Sequence, residues 1–263
     1  MQVISSKDND LIKKIRSLKD KKYRDIYNEF IVEGIKMIKE AIDEKAKIAS
    51  IVICEECIND GSIDKTLLYE IARFNCIYVT EKVFLSLTDV TNPQGILAVI
   101  EKNSSNNEIN YDEEIILVLD GIQDPGNLGT ILRTADSANL KQIVISKDTA
   151  DCYNPKVVRS TMGAIFRINV IETDNLVQKL KEIKKHKFEI LATSLDTDDS
   201  IFDVEYTKKA VVIGNEANGV SKEVQNIADR KIKIPMPGKT ESLNASVATG
   251  IIIYEYIRQK QNK

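Results

Sequence analysis

Short apolar runs alternate with amphipathic stretches in the first part of the chain. The run 48–54 is almost continuously apolar, as in a strand whose two faces are both buried. In residues 34–46, by contrast, Ile35, Ile38 and Ile42 recur at helical spacing. Strands are predicted at residues 30–32, 48–54, 76–80 and 96–100, and helices at residues 11–18, 34–46 and 65–74. This alternation of short strands and helices indicates a small α/β domain.

A second alternation begins with the apolar run 115–120. Further strands are predicted at residues 142–146, 189–193, 210–213 and 231–234, and helices at residues 128–138, 155–164, 176–186, 222–228 and 245–259. Apolar strands that are separated by helices indicate a mostly parallel sheet with both faces covered.

Between the two alternations lies a polar stretch, residues 101–114, which has no hydrophobic periodicity. Such a stretch is typical of a domain linker. We therefore predict a smaller α/β domain at residues 1–102, a linker at residues 103–114 and a larger α/β domain at residues 115–263. The length of 263 residues and a hydrophobic content of 43% allow each domain a core of its own.

Composition predicts the compartment. No apolar run approaches the roughly 18 residues of a membrane-spanning helix, and the first residues have no signal-peptide pattern. The four cysteines have no repeating spacing, which fits a reducing environment. We therefore expect a cytoplasmic protein that has no membrane partner.

No metal site is predicted. Cys54 and Cys57 have the spacing of a redox motif but lack its βαβ context, and the chain has one histidine, His186. The acidic residues at 196–199 lie in a polar loop, where solvation is the usual fate of such side chains. Structural cysteines and solvated carboxylates explain these features without a metal.

Charge is distributed unevenly along the chain. The net charge is −3, yet residues 1–24 contain eight Lys or Arg residues and three Asp residues, a local charge of +5. A basic segment on an acidic protein is an electrostatic footprint for phosphates, although a solvated helix face has the same pattern. The residues predicted to contact RNA here are Lys13, Lys14, Lys21, Lys22 and Arg24.

Three polar loops follow predicted strands of the second domain, at the sheet edge where ligands bind to parallel sheets. The first loop follows Asp120. In it Asn127 is a candidate helix N-cap, and Arg133 lies about one and a half turns further along the helix. An ordinary turn between a strand and a helix explains an asparagine at position 127. It does not explain why an arginine lies at position 133, set back from the start of the helix.

The second loop, residues 213–221, has the glycine spacing of a phosphate loop. Val220 stands where that loop has its lysine, which argues against a nucleoside triphosphatase. The Gly-x-Gly-x-x-Gly pattern of dinucleotide-binding domains is absent too. Glu216 can only accept hydrogen bonds, which suits a ribose, an amine or an arginine. A simple turn remains an alternative interpretation of this loop.

The third loop, residues 234–248, contains two prolines and a glycine. Such a loop is stiff at the prolines and can present backbone groups to a ligand. Ser242, Asn244 and Ser246 are residues that start helices, because their side chains accept hydrogen bonds from free backbone N–H groups. A helix N-cap that follows a surface turn is the alternative interpretation.

In order and spacing, the three loops resemble the three motifs of the SpoU/TrmH family, RNA ribose 2′-O-methyltransferases of the SPOUT class. The resemblance covers residues 115–263. Residues 1–100 look like the substrate-binding domain that precedes the catalytic domain in many members. The implied fold class is α/β, with a C-terminal SPOUT trefoil-knot domain built on a mostly parallel sheet and a smaller α/β domain before it.

The resemblance also implies a cofactor, S-adenosylmethionine, and a homodimer formed through the C-terminal domain. The implied catalytic residues are Arg133, Asn127, Glu216, Ser242 and Asn244. The implied cofactor-binding residues are Thr193, Ile213, Gly214, Asn215, Gly219, Ile234, Met236 and Leu243. Residues 154–164 resemble a family segment that faces the substrate, which adds Lys156 and Arg159 to the RNA-contacting set.

Methyl transfer to a ribose requires in-line positioning of the 2′-hydroxyl and removal of one proton. Arg133 matches the catalytic arginine of the family, which would act either as a transient base or as a clamp on phosphate. Arginine stays protonated and binds phosphate in a bidentate manner, which favours the clamp. Ser242 and Asn244 would orient Arg133 or the ribose. Asn127 would hold the target nucleotide, and Glu216 would position Arg133 or the cofactor.

We expect large-subunit (23S) ribosomal RNA as the substrate, because the N-terminal domain favours a large structured RNA. Family members that act on transfer RNA more usually lack this domain. The same motifs would serve a tRNA methyltransferase, an antibiotic-resistance rRNA methyltransferase or a non-catalytic RNA-binding factor. The intact motif residues argue against the last of these.

Overall fold

The computed structural model of the chain describes residues 3–102 and 108–261, so residues 103–107 of the predicted linker lie outside the described residues. The chain divides into two compact units. Unit 1 comprises Met1–Ser104 and Tyr153–Phe166, and unit 2 comprises Ser105–Cys152 and Arg167–Lys263. The segment Tyr153–Phe166 therefore belongs to unit 1, although it lies within the sequence limits of the predicted second domain.

In the described part of the chain, each unit contains one sheet. The strands of unit 1 are β1 (Val3–Ile4), β2 (Glu29–Glu33), β3 (Ile48–Cys54), β4 (Cys76–Val79) and β5 (Ile96–Glu101). Those of unit 2 are β6 (Ile115–Asp120), β7 (Gln142–Ser146), β8 (Asn169–Thr173), β9 (Glu189–Thr193), β10 (Lys209–Gly214) and β11 (Arg230–Ile232). The strand order is β1-β4-β3-β5-β2 in unit 1 and β11-β9-β10-β6-β7-β8 in unit 2. The sheet of unit 2 is parallel throughout.

Helices connect most of these strands. They are α1 (Asp10–Ser17), α2 (Lys21–Tyr27), α3 (Ile35–Asp43), α4 (Glu55–Asn59), α5 (Lys65–Ile71), α6 (Glu81–Phe84), α7 (Pro125–Ser137), α8 (Pro155–Thr161), α9 (Leu176–Lys185), α10 (Lys222–Ile227) and α11 (Ala245–Gln261). None of the helices in the described ranges has the length and apolar character to cross a membrane.

The core of unit 1 forms where α1 covers the sheet. Ile12, Ile15 and Leu18 recur at helical spacing and belong to one buried cluster with Val52 of β3 and Leu97 of β5. Burial of a large apolar side chain contributes about 1.5–3 kcal/mol relative to exposure. The helical spacing of apolar residues at 11–18 thus gives α1 a single face that packs on the sheet.

The core of unit 2 forms around its two central strands. Val118 of β6 and Val212 of β10 lie in one buried cluster with Leu180 and Ile183 of α9. A parallel sheet with covered faces needs strands that are apolar on both sides, which is why these strands appear in the sequence as continuous apolar runs.

Five of these strands and helices of the described chain are missing from the sequence-based prediction: β1, α4, α6, β8 and α2. The burial pattern explains the last two. β8 is an edge strand in which Ile171 is the buried residue, so it has no continuous apolar run. In α2 the buried residue is Arg24, so this helix has no apolar periodicity. Both elements form because of their neighbours rather than because of a hydrophobic pattern of their own.

The charge pattern predicts that Arg24 contacts RNA, but the structure buries this side chain. Only 2% of its surface is exposed. Its Nη1 donates hydrogen bonds to the carbonyl oxygens of Leu18 (2.8 Å) and Lys19 (2.7 Å). Leu18 is the C-cap of α1, where carbonyl groups lack helical partners. Arg24 therefore joins α2 to the end of α1 and is not available to a phosphate.

Replacing Arg24 with alanine should lower the free energy of unfolding of unit 1 by about 2–4 kcal/mol, because two carbonyl groups lose their partner and a buried side chain is lost. Hydrogen exchange of the α1 and α2 amides, together with urea denaturation, measures this. Lys22→Ala, an exposed neighbour on the same helix, is the control and should change stability by less than about 0.5 kcal/mol. An Arg24→Ala protein as stable as the parent would contradict the structural role.

Candidate active site

The carboxyl ends of four neighbouring strands in unit 2 define the candidate site. The register of the sheet pairs Asp120 at the end of β6 with Gly214 at the end of β10. Thr193 at the end of β9 is paired in the same way with Ile232 at the end of β11. Because the strands are parallel, the loops that leave these ends start side by side.

The loop after β10 is a tight turn. A Cβ atom on Gly214 would lie 2.0 Å from the backbone nitrogen of Val220, so no other residue fits there. The backbones of Asn215 and Gly219 exchange two hydrogen bonds (3.0 and 2.9 Å), and Gly219 has a φ of +67°. The Asn215 side-chain Nδ2 donates to the carbonyl oxygen of Gly121 (2.7 Å) and so fastens this loop to the loop after β6.

A cavity of about 490 Å³ opens at this edge, within the usual size range of small-molecule sites. All eight residues predicted to bind the cofactor line it: Thr193, Ile213, Gly214, Asn215, Gly219, Ile234, Met236 and Leu243. Glu216, Ser242 and Asn244 of the predicted catalytic set line it as well. The structure thus brings residues from separate loops together around one space.

The lining fits S-adenosylmethionine, which joins an adenosine to a cationic amino acid. Ile213, Ile234 and Met236 offer apolar contacts to a flat ring system. The carboxylates of Asp196 and Glu216 also line the cavity, and a carboxylate accepts hydrogen bonds from ribose hydroxyl or ammonium groups. Such a mixture of apolar walls and a few polar groups is typical of cofactor sites.

The carboxylate of Glu216 joins the loops that surround the cavity. It accepts hydrogen bonds from Nδ2 of Asn127 (2.9 Å) and from the backbone N–H groups of Gln123 and Asp124 (3.2 Å each). Asn127 Oδ1 in turn accepts from Nδ2 of Asn244 (2.9 Å). One residue from each of the three loops therefore belongs to a single chain of hydrogen bonds.

Of two asparagines expected to start helices, one does not and the other does. Asp124, not Asn127, is the N-cap of α7, and it accepts a 2.8 Å hydrogen bond from the Asn127 backbone N–H. The Asn127 side chain is therefore free to bind Glu216. Asn244 does begin α11, since its Oδ1 accepts from the backbone N–H groups of Ser246 (2.9 Å) and Val247 (3.3 Å).

Hydrogen bonding keeps Glu216 ionised. Partial burial opposes ionisation, but the bonds from Asn127, Gln123 and Asp124 outweigh it and hold the pKa of Glu216 below its usual value. A lowered pKa in the folded state means that the charged carboxylate stabilises the fold at all pH values above the ordinary glutamate pKa. This stabilisation is lost only as the pH falls through the lower folded-state pKa, so the network is intact at neutral pH.

Arg133 is not part of this network. It is exposed on α7, six residues or about 9 Å along the helix from Asn127. It forms no hydrogen bond or ion pair with any residue of the described ranges. The family resemblance implies that Glu216 and Asn244 orient Arg133 or, alternatively, the cofactor and the ribose. In this structure both side chains bind Asn127, and neither forms a hydrogen bond with Arg133. Ser242 is exposed at the rim of the cavity.

The other residues predicted to contact RNA lie in unit 1: Lys13, Lys14, Lys21, Lys22, Lys156 and Arg159. Lys14 pairs with Glu29 at 2.8 Å, and Lys21 pairs with Asp25 at 3.3 Å. Lys22 is exposed and has no carboxylate partner among the residues described. The count of +5 for residues 1–24 therefore overstates the charge that is free to meet phosphate.

Sequence reasoning missed six cavity-lining residues outside the three loops: Ser194, Leu195, Asp196, Gln225, Ile232 and Lys233. The first three directly follow β9, so the rule that ligands bind at the carboxyl ends of parallel strands would have found them.

The acidic side chains that follow Asp196 form ion pairs, Asp198 with Lys233 (3.1 Å) and Asp199 with Arg230 (2.6 Å). Within the described ranges, no group of three or more His, Cys, Asp or Glu residues could hold a metal ion.

Two family models match the chain. Residues 114–254 match the SpoU rRNA Methylase family, and residues 9–98 match the MRM3-like substrate binding domain. The first match contains the three loops around the cavity, and the second contains α1, α2 and most of the sheet of unit 1.

Individual relatives match over different lengths. The chain is 31% identical over 255 residues to the 23S rRNA (guanosine(2553)-2′-O)-methyltransferase RlmP of Bacillus subtilis, which covers 97% of this chain and 98% of that protein. The structure of an AdoMet-bound rRNA methyltransferase from Sinorhizobium meliloti superposes with a TM-score of 0.85 at 30% identity, covering 98% of this chain and 97% of that one. A TrmH/SpoU tRNA modifying enzyme from A. aeolicus covers 57% of this chain and 76% of its own, at 38% identity and a TM-score of 0.52.

Replacing Glu216 with alanine should free the loop after β6, because the amides of Gln123 and Asp124 lose their acceptor. We expect hydrogen exchange of these two amides to accelerate about tenfold or more at neutral pH, the effect of losing one or two net hydrogen bonds. Asn218→Ala, in the same loop but with a side chain outside the network, is the matched control. Equal exchange in both variants would show that Glu216 does not hold the loop.

Proposed function

This chain belongs to the SpoU rRNA methylase family and is an S-adenosylmethionine-dependent RNA ribose 2′-O-methyltransferase, and we propose that its substrate is the 23S RNA of the large ribosomal subunit. The observation that carries this proposal is the extent of the match. The relative that acts on 23S rRNA matches both units over nearly the whole of both chains. The tRNA modifying enzyme covers little more than half of this chain.

The cavity residues would hold S-adenosylmethionine, which supplies an electrophilic methyl group when bound. The tight turn from Gly214 to Gly219 presents backbone groups to the cavity. Ile234, Met236 and Leu243 line the same cavity and would exclude water from the ring system of the cofactor. The chain of hydrogen bonds centred on Glu216 holds these loops in place before the substrate arrives, which lowers the cost of ordering them.

Arg133 is proposed to act as a clamp on the RNA backbone. Its guanidinium is exposed and has no partner in the described residues, so both of its forked donor pairs are available to a phosphate. A clamp on the phosphate beside the target ribose orients the 2′-hydroxyl and stabilises the negative charge that develops on its oxygen. This use of Arg133 does not require it to accept a proton.

We further propose that the chain forms a homodimer through α11. Val247 and Tyr254, which are 50% and 52% exposed, lie with Ile251 on one face of this helix. Ile252 and Ile253 on another face are buried within unit 2. A helix that is apolar on most sides is normally covered on most sides, which supports a second copy of the chain on the exposed face.

The trefoil knot that the family resemblance implies is also a proposal for unit 2. Its support is the strand order, in which the chain crosses from β8 at one edge to β9 beside the other, and then places β10 between β9 and β6. After β11 the chain returns so that α11 contacts α7 and β10. An experimental trace of residues 189–261 in which α11 could be withdrawn without crossing another segment would rule the knot out.

The cytoplasm is the proposed location. The thiol of Cys54 is buried and forms no disulfide within the described residues, as expected for a protein that stays in a reducing compartment. Cell fractionation tests this, since the protein should remain in the cytoplasmic fraction.

The substrate is tested with methyl-labelled S-adenosylmethionine and total RNA from cells that lack the gene, so that the target site is unmodified. We expect alkali-resistant label in large-subunit rRNA, because a 2′-O-methyl group blocks alkaline cleavage at that nucleotide.

The same assay tests the clamp with the variant Arg133→Lys. It should lose about 100-fold in rate, since lysine lacks the fork that positions the phosphate, yet bind the cofactor normally in calorimetry. Label in transfer RNA would contradict the proposed substrate, and normal activity of Arg133→Lys would contradict the clamp.

The homodimer is tested with Tyr254→Glu, which places a charge in the exposed apolar face of α11. We expect the dimer dissociation constant to rise at least about 30-fold, the effect of losing an interface hot spot. Sedimentation equilibrium measures it. Phe202→Glu is the control, because Phe202 is similarly exposed in unit 2, at 54%, but lies outside α11. A monomeric parent protein, or equal dissociation constants for the two variants, would refute this interface.

A further inference from the structure

One face of α2 in unit 1 exposes aromatic and apolar side chains next to lysine. At about 100° per residue, Lys22, Tyr23, Ile26 and Tyr27 occupy about 140° of the helix circumference. Ile26 is 61% exposed and Tyr27 is 40% exposed, whereas Arg24 on the opposite side is buried. We call these four residues the α2 surface.

The two tyrosine rings of the α2 surface lie nearly parallel. Their planes are inclined by 17° and their centroids are 6.4 Å apart. Tyr23 is half-buried, and Tyr27 is exposed. Large exposed side chains are usually scattered singly over a protein surface, so a contiguous group of this kind is a candidate binding surface.

A lysine ammonium group lies over each ring. Lys22 Nζ is 5.6 Å from the centroid of Tyr23, and Lys14 Nζ is 4.9 Å from the centroid of Tyr27. Lys14 is also paired with Glu29 at 2.8 Å. Lys22 has no carboxylate partner within the described residues, so it can exchange its contact with Tyr23 for a phosphate. Aromatic rings next to such a cation complement a nucleotide, whose base is flat and whose phosphate is negative.

We propose that the α2 surface is a stacking site for unpaired nucleotides of the RNA substrate. This inference rests on the proposed function and goes beyond it, because it names the structural feature of the RNA that unit 1 binds. Bases stack on the rings of Tyr23 and Tyr27, Ile26 widens the apolar contact, and Lys22 binds the adjoining phosphate. Stacking on aromatic rings tolerates any base, so this surface selects for single-stranded RNA rather than for a sequence.

A duplex does not fit this chemistry. Bases in a helix are stacked on one another and present only their edges, so aromatic rings on a protein surface cannot reach their faces. The site therefore requires a loop, bulge or end in the RNA. In this way unit 1 would contribute to substrate choice although Arg24 is buried and several of its lysines are neutralised by carboxylates.

The test uses the full chain and a single-stranded RNA of about ten nucleotides, within the range that one such surface binds. Affinity is measured by fluorescence anisotropy, and a duplex of the same length is the competitor. Tyr27→Ala should weaken binding at least about fivefold, the lower limit for loss of one base–aromatic stack, whereas Tyr27→Phe should bind like the parent. The matched control is Tyr69→Ala, which removes a tyrosine that is 87% exposed elsewhere in unit 1. It should leave affinity unchanged.

Two further readouts separate stacking from a merely structural role. Lys22→Ala should reduce the slope of log affinity against log salt by about 0.7, the contribution of one phosphate contact on a single strand. In methylation of rRNA, Tyr27→Ala should raise KM and leave kcat unchanged, because the α2 surface belongs to unit 1 and the reacting atoms meet unit 2.

The outcomes distinguish this inference from the proposed function. If the parent protein methylates rRNA while Tyr27→Ala keeps its RNA affinity and KM, the stacking site is refuted and the proposed function stands. If the parent does not methylate rRNA, the proposed function fails, whatever affinity the protein has for the single-stranded RNA. Equal binding of duplex and single strand would also overturn the stacking site. So would a loss of self-association in Tyr27→Ala without a loss of RNA binding, since the α2 surface would then be a protein contact.

Discussion

The register between β6 and β10 is the constraint on which the site depends. It sets Asp120 and Gly214 side by side at one edge of the sheet, so the loops that follow them start level with each other. A shift of one residue would turn the side chains of a strand to the opposite face. Val118 and Val212 oppose such a shift because they pack in the buried cluster of unit 2, and side chains forced out of their packed positions in a dense core cost about 1–3 kcal/mol. The hydrophobic core thus determines the position of polar groups that take no part in it.

Within that alignment, the polar residues of unit 2 divide into two groups. Glu216, Asn127 and Asn244 satisfy one another and hold the loops around the cavity. Arg133 and Ser242 are exposed and lie outside this network. The first group can prepare a cofactor site before any ligand binds, and the second can contact RNA. A carboxylate whose pKa is lowered by its neighbours suits the first task, since it stays charged whenever the protein is folded at neutral pH.

Unit 1 shows why charge along a sequence does not define a binding surface. Arg24 and Lys22 are two positions apart in the same short helix, yet one is buried against backbone carbonyl groups and the other is free at the surface. A count of basic residues gives them equal weight. Their positions around the helix separate them, and these are set by the packing of α2 on the end of α1. Neither the burial of Arg24 nor the α2 surface could be predicted from composition.

The sequence by itself determined the elements with a strong local pattern: the apolar strands, most helices and the three loops at the strand ends. Together with the family resemblance, these loops were enough to name eight residues that line the cavity. The tertiary structure alone decided which polar groups meet. Glu216 binds Asn127, 89 positions away, instead of Arg133, and residues 153–166 pack with unit 1. Hydrophobic periodicity is local and can be recognised in a few turns of chain. A hydrogen bond depends on distances of a few ångströms between residues far apart in sequence, and only the folded chain sets those distances.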